Sequence, residues 1–341
     1  MAAVAALALS SSSAGIAGNL SASVNDGRIG CENVRSVVVR GCKKWNSLPS
    51  SCVSLSGCPI VVASGVQAVR VSYSAGRVRA SASRSQEAVR EFVLKEFNAG
   101  RALKVIAGLQ NFDVENVAAV VIAADKGGAT HVDIACDPEL VKLAISLTDL
   151  PVCVSSVEPD AFVAAIEAGA HMVEIGNYDS FYESGRVFSA AEVLELTRKT
   201  RELLPFVTLS VTIPHTLPLV DQVSLAEKLE AEGADIIQTE GGTSASPASP
   251  GVQGLIEKAS PTLAAAYSIS KAVRIPVMCA SGISAVTAPM ACAAGAAGVG
   301  VGSAVNKLND RLAMVAAVRS IADALSLGSG SHASSVSAVA H

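Results

Sequence analysis

The sequence predicts an α/β fold, a (β/α)8 (TIM) barrel with a leading N-terminal helix, and three observations carry the prediction. Eight apolar strand-like runs alternate with amphipathic stretches over about 260 residues, the count and size of a closed barrel; an open doubly wound sheet usually stops at about five or six strands. An eight-residue string recurs without gaps on every second run: GATHVDIA from Gly128, GAHMVEIG from Gly169, GADIIQTE from Gly233 and GAAGVGVG from Gly295. Within these strings apolar positions alternate with the rest, which assigns one face of each strand to the helices and the other to the lumen.

The stretch before the barrel differs in composition. Residues 1–80 hold 15 Ser and 8 Lys/Arg, with Asp26 and Glu32 as the only acids. Ser-rich, Arg-bearing and acid-poor composition marks an organelle transit segment, and the apolar h-region of a secretory signal is missing. The segment is expected to be disordered and cleaved in the plastid near Val78-Arg79-Ala80; a disordered extension that stays attached is the alternative. Its removal leaves 18 Lys/Arg and 28 Asp/Glu, a net charge of −10. An acidic body without a basic stripe excludes nucleic acid as a partner. No apolar run approaches the roughly 18 residues of a membrane helix, which argues against a membrane protein. Cys136, Cys153, Cys279 and Cys292 remain in the body without a CxxC pair, each in or beside an apolar run, as buried reduced thiols are.

The barrel domain is assigned to residues 81–326. A leading helix, SQEAVREFVLKEF, precedes the first strand, LKVIAG, whose Leu103, Val105 and Ala107 face the helices and whose Lys104, Ile106 and Gly108 face inward. The second, fourth, sixth and eighth strands are the repeat: Val132/Ile134, Val173/Ile175, Ile237/Thr239 and Val299/Val301 point outward. One interior layer is then Asp133, Glu174, Gln238 and Gly300, and the next, toward the C-terminal rim, is Ala135, Gly176, Glu240 and Gly302. PVCVSS and IPVMCAS supply the third and seventh strands. The fifth, FVTLSVTI, turns Thr208, Ser210 and Thr212 inward. DPELVKLAISLTD, SAAEVLELTRKTRELL and LVDQVSLAEKLEAEG are among the amphipathic helices between strands. The small, polar tail, residues 327–341, is expected to be disordered.

A purely structural barrel fills its lumen with Val, Ile and Leu. This lumen holds Lys104, Asp133, Glu174, Ser210, Thr212 and Gln238, and unpaired buried charge costs several kcal/mol or more, so these groups pair, bind a ligand or touch water. A closed Lys–Asp–Glu network that merely plugs the barrel is the alternative to a functional lumen. Lys104 offers a Schiff-base amine with Asp133 or Glu174 as proton shuttle, but two nearby carboxylates keep it charged, and an ion pair with Asp133 is the favoured reading. Asn177, Tyr178 and Asp179 follow the fourth strand and His215 the fifth, all expected at the catalytic rim. The catalytic candidates are Lys104, Asp133, Glu174, Glu240 and His215, with Asn177, Ser210, Gln238 and Gly241 as substrate-binding residues. His131, deep in the lumen, and His171, on the helix side, are weaker candidates. No His-x-His or His/Asp set has metal-ligand spacing, so a metal held through Asp133, Glu174 and Glu240 is an unsupported alternative and none is assigned. TEGGTSASPASPGVQG after the sixth strand is either a lid or a plain loop.

Ser281-Gly282 and Gly302-Ser303 end the seventh and eighth strands ahead of helices. In barrels that corner is the usual phosphate site, because bare backbone lets several N–H groups converge on an anion. GVGVG is no dinucleotide fingerprint, since it lacks the G-x-G-x-x-G spacing. KVIAGLQNFD, GGATHVDIACDP, VEIGNYDSFYESGRVFSA, LSVTIPHTLPL, IIQTEGG, ASGISAVTAPMA and GVGVGSAVN, spread over residues 88–326, resemble the ycf-type hypothetical chloroplast reading frame family, number twenty-three, of cyanobacteria and plastids. The resemblance implies an aldolase-type barrel in the chloroplast stroma and no particular reaction. The reading favoured by the residues is an enzyme of isomerase, epimerase or lyase type acting on a small phosphorylated molecule. The alternatives are a flavin mononucleotide (FMN) oxidoreductase and a non-catalytic metabolite-sensing barrel; homo-oligomerisation is left open.

Overall fold

The computed structural model describes residues 86–327, apart from 183 and 243–246, and two short strands, Ala22–Asp26 and Arg35–Val39, which pair antiparallel. The rest of the expected transit segment, its processing site, the tail from 328 and the middle of the lid-like loop lie outside the described residues.

Eight parallel strands close into a barrel: β1 (Ala102–Ile106), β2 (His131–Ala135), β3 (Val152–Ser156), β4 (Met172–Ile175), β5 (Thr208–Thr212), β6 (Ile236–Gln238), β7 (Val277–Ala280) and β8 (Gly298–Val301). Each pairs with the next in sequence, and β8 returns to β1 with Gly300 opposite Lys104. The helices are α1 (Gln86–Asn98), α2 (Val114–Gly127), α3 (Pro138–Leu147), α4 (Pro159–Glu167), α5 (Asp179–Tyr182), α6 (Ala190–Leu203), α7 (Leu219–Ala231), α8 (Gly251–Ile269), α9 (Ala288–Ala293), α10 (Ser303–Asn306) and α11 (Arg311–Ala324). The short α5 and α10 add to the expected one helix per strand.

Local chemistry starts these helices where they begin. Asp113 and Asp137 each accept two amide N–H bonds ahead of α2 and α3, Ser189 caps α6 and Asp310 caps α11. Side-chain oxygens thus satisfy donors that a helix N-terminus leaves without partners. The outward faces of the strands, Leu103, Val105, Val132, Ile134, Val173, Leu209, Val211, Ile237 and Val299 among them, pack with the helices in one continuous core. A second, smaller cluster closes the bottom of the barrel. There Val93 and Phe97 of α1 meet Ala102, Cys153, Met172, Ile236 and Met278. Polar ties hold the plug. His131 Nε2–H donates to the Val93 carbonyl at 2.8 Å, the Phe97 ring lies 4.8 Å from the imidazole, and Arg90 pairs with Asp235.

Candidate active site

The polar lumen is built around Glu174. Its Oε2 pairs with the Lys104 ammonium and accepts from Ser210 Oγ at 2.7 Å; its Oε1 accepts from Gln238 Nε2 at 2.8 Å and Asn177 Nδ2 at 2.9 Å. Asp133 accepts from Ser155 Oγ at 2.6 Å and from Asn177 Nδ2 at 3.2 Å. The recorded ion pair of Lys104 is therefore with Glu174, correcting the expectation of Asp133. Neighbouring register explains the pairing of Glu174 with Ser210, which face each other on β4 and β5. Burial works against the Lys104 ammonium, but Glu174, with Cys153 and Asp133, lifts its pKa above the ordinary lysine value. An amine paired in this way is held in its charged form and is a poor Schiff-base nucleophile, since only the neutral amine attacks a carbonyl. Burial also pushes the Asp133 carboxyl up to about 7, with Lys104 partly opposing it and Glu174 adding to it.

Asn177 joins the two carboxylates from above. It holds φ at 65°, left-handed backbone that a short polar side chain tolerates. This turn after β4 directs its amide down into the lumen. Tyr178 differs from the expected rim position. It is fully buried, stacks on Phe188 at 4.4 Å and donates to the Thr212 carbonyl at 3.1 Å. His131 is buried at the bottom of the lumen, where burial lowers its pKa to about 4. It serves the α1 plug.

A cavity of about 600 Å³ opens above this network at the carboxyl ends of the strands. Ile106, Asn177, Thr212, Gln238 and Ala280 reach it from the barrel wall. Lys104, Asp133, Glu174 and Ser210 are not among its lining residues; they lie beneath and hold the side chains that are. The Gln238 Oε1 atom is buried without a hydrogen-bond partner, 3.4 Å from where a Cβ on Gly300 would stand. Gly241 packs between Ser281 and Thr262, while the adjoining Gly242 lines the cavity.

The corner formed by β7 and β8 is lined by Ser281, Gly282, Gly302 and Ser303, as expected. Ser281 and Gly282 both have positive φ, 76° and 71°, and a Cβ on Gly282 would stand 2.7 Å from the Lys258 carbonyl oxygen. Glycine there lets the α8 backbone approach. Lys258 and Lys307 line the same cavity, two cations that no motif announced. A contact between Thr262 and Thr239, Oγ1 to Oγ1 at 2.6 Å, ties the Lys258 helix to the end of β6.

Three titratable side chains gather on the rim after β4, β5 and β6. Glu240 Oε2 accepts from Tyr182 OH at 2.7 Å and from the backbone N–H of His215 at 3.3 Å, and lies 3.0 Å from His215 Nδ1. The Tyr182 ring meets the imidazole edge-on at 4.8 Å. One ligating atom from each of Asp179, His215 and Glu240 lies within 4.8 Å of the others. Burial and the Glu240 carboxylate push Asp179 up to about 6, and the bond to Glu240 raises His215. Asp179 and Glu240 line the cavity; His215 stands behind them, its Nε2 against Gly242. Sequence reading placed Asp179 at the rim without a role and missed Tyr182, because nothing local marks a residue whose partner lies 58 positions away.

Fold and cavity together define a (β/α)8 barrel with a polar pocket at the carboxyl ends of its strands. The family described as protein of unknown function (DUF561) matches residues 87–330, and the chain belongs to it. The chain is 39% identical over 238 residues to the protein titled "Uncharacterized protein ycf23" of Pyropia yezoensis, covering 70% of this chain and 87% of that one. It is 42% identical over 221 residues to the protein of the same title in Cyanophora paradoxa, covering 63% and 88%. A barrel from Coccidioides immitis, solved as a candidate fructose-1,6-biphosphate aldolase, superposes with a TM-score of 0.50 at 16% identity, covering 71% of this chain and 97% of that one. At that identity the likeness carries the fold alone.

Proposed function

We propose that this chain binds a small phosphorylated metabolite in the plastid and transforms it by acid–base chemistry of isomerase, epimerase or lyase type. One observation carries the reading. A single cavity is lined both by the side-chain-poor corner Ser281, Gly282, Gly302 and Ser303, with Lys258 and Lys307, and by the carboxylates Asp179 and Glu240. The corner suits a phosphate, since open backbone and two ammonium groups favour an anion. The rim cluster faces the part of the ligand that reacts, and the Gln238 and Asn177 amides offer hydrogen bonds to its hydroxyl or carbonyl groups. Lys104, Asp133 and Glu174 act through these amides and hold them in place. The composition of residues 1–80 supports the plastid assignment.

Native mass spectrometry of the chain recovered from plastids tests the proposal. We expect a co-purified phosphorylated compound and a chain mass that lacks about the first 80 residues. In Gly302→Asp the compound should be lost while the unfolding temperature holds, because a Cβ there has no neighbour nearer than 3.8 Å and an added carboxylate repels phosphate. A yellow protein carrying the FMN mass would turn the reading to a flavin enzyme. A ligand-free spectrum, with no thermal shift from sugar phosphates or FMN, would withdraw the enzyme reading in favour of a partner-binding barrel.

A further inference from the structure

We propose that Asp179, His215 and Glu240 form a divalent-cation site on the cavity rim, for a metal that takes mixed nitrogen and oxygen donors, such as Mn²⁺ or Zn²⁺. The three residues come from three successive strand ends, and their donor atoms lie within 4.8 Å of one another. His215 Nδ1 and Glu240 Oε2 are 3.0 Å apart, which is the spacing of two ligands each about 2.1 Å from one cation at near-right angles. The third member supplies an independent observation. Asp179 Oδ1 is shielded from solvent and receives no hydrogen bond from a donor, while its carboxyl lies within hydrogen-bond reach of the Glu240 carboxyl. Two carboxylates this close repel each other unless a proton or a cation lies between them, and a cation there lets both stay ionised. Tyr182 completes the arrangement from outside. Its hydroxyl bonds Glu240 and its ring abuts His215, so one side chain orients two ligands, as outer partners of metal ligands do.

Imidazole with carboxylates suits Mn²⁺ and Zn²⁺ better than Ca²⁺, which prefers an all-oxygen set. Three protein ligands leave coordination positions open toward the cavity, which Asp179 and Glu240 line. A substrate oxygen taking such a position would be polarised with its phosphate in the β7–β8 corner. That catalytic role rests on the function proposed above; the binding of the cation does not.

The test is a titration of the full chain with Mn²⁺, after stripping with a chelator, read by loss of the free-ion electron paramagnetic resonance signal. One Mn²⁺ per chain is expected, displaced by Zn²⁺, with affinity at least about tenfold weaker in Asp179→Asn and Glu240→Gln. Asp179→Asn is the decisive variant, because it keeps the size of the side chain and its reach to Glu240 while removing the charge that would hold the cation. Gly302→Asp should leave Mn²⁺ binding intact while abolishing the phosphate ligand, so the two proposals fail separately. No bound Mn²⁺ at millimolar concentration, or equal affinity in wild type and Asp179→Asn, would overturn the site.

Discussion

Glu174 and Lys104 are among the most buried side chains of the molecule, and each is tolerable only because of the other. Taking a carboxylate and an ammonium out of water costs several kcal/mol per ion, which their pairing and the donors from Ser210, Gln238 and Asn177 offset. Removing one partner leaves an uncompensated charge. Glu174→Gln should therefore lower stability by about 3–5 kcal/mol, and adding Lys104→Met should restore a large part of it. Urea unfolding of the two variants measures this; a Glu174→Gln midpoint equal to wild type would mean that the network contributes nothing. The sequence showed both residues on the inward face. It left open which carboxylate Lys104 takes, because the choice depends on strand stagger and on the Asn177 turn.

The plug helix α1 depends on a histidine that must stay neutral. His131 gives its Nε2–H to the Val93 carbonyl; Lys104 and His171 are the charged or titratable groups acting on it, and its pKa is lowered to about 4. A depressed histidine contributes stability that is present above its ordinary value of 6.5 and lost as pH falls from 6.5 to 4. Asp133 has the opposite sign. Raised to about 7, it contributes stability that is present below 3.8 and lost as pH rises from 3.8 to 7. The two partly cancel on acidification. His131→Gln removes one side of the balance, so between pH 7 and 4 its stability should rise, relative to wild type, as pH falls. Denaturant midpoints across that range test it, and parallel curves for both proteins would rule the histidine out. The sequence announced α1 and the depth of His131 without connecting them.

Closure of the barrel depends on contacts between the two ends of the domain. β8 pairs with β1, and α11 packs on α2 so closely that a Cβ on Gly127 would stand 2.4 Å from the Val318 side chain. Gly127→Val should overpack that contact and cost about 1–3 kcal/mol, read as a lowered unfolding temperature with the cavity's ligand binding kept. An unchanged temperature would show that the contact yields without cost.

At the scale of the whole chain, the alternation of side chains determined the barrel. Period-two patterning says which residues face the lumen wherever one face of a strand must meet helices, and the four repeated strings made that pattern legible. The small residues ending β7 and β8 were legible for the same local reason, since bare backbone is written into the sequence. What tertiary structure alone decided is depth and convergence. Lys104, Asp133 and Glu174 point inward as read, yet they stop beneath the cavity, while Asp179, Lys258 and Lys307 reach it from loops and helices. Inwardness is a property of one strand's pleat, whereas height in the barrel and the meeting of distant loops follow from stagger and closure, which no single segment contains.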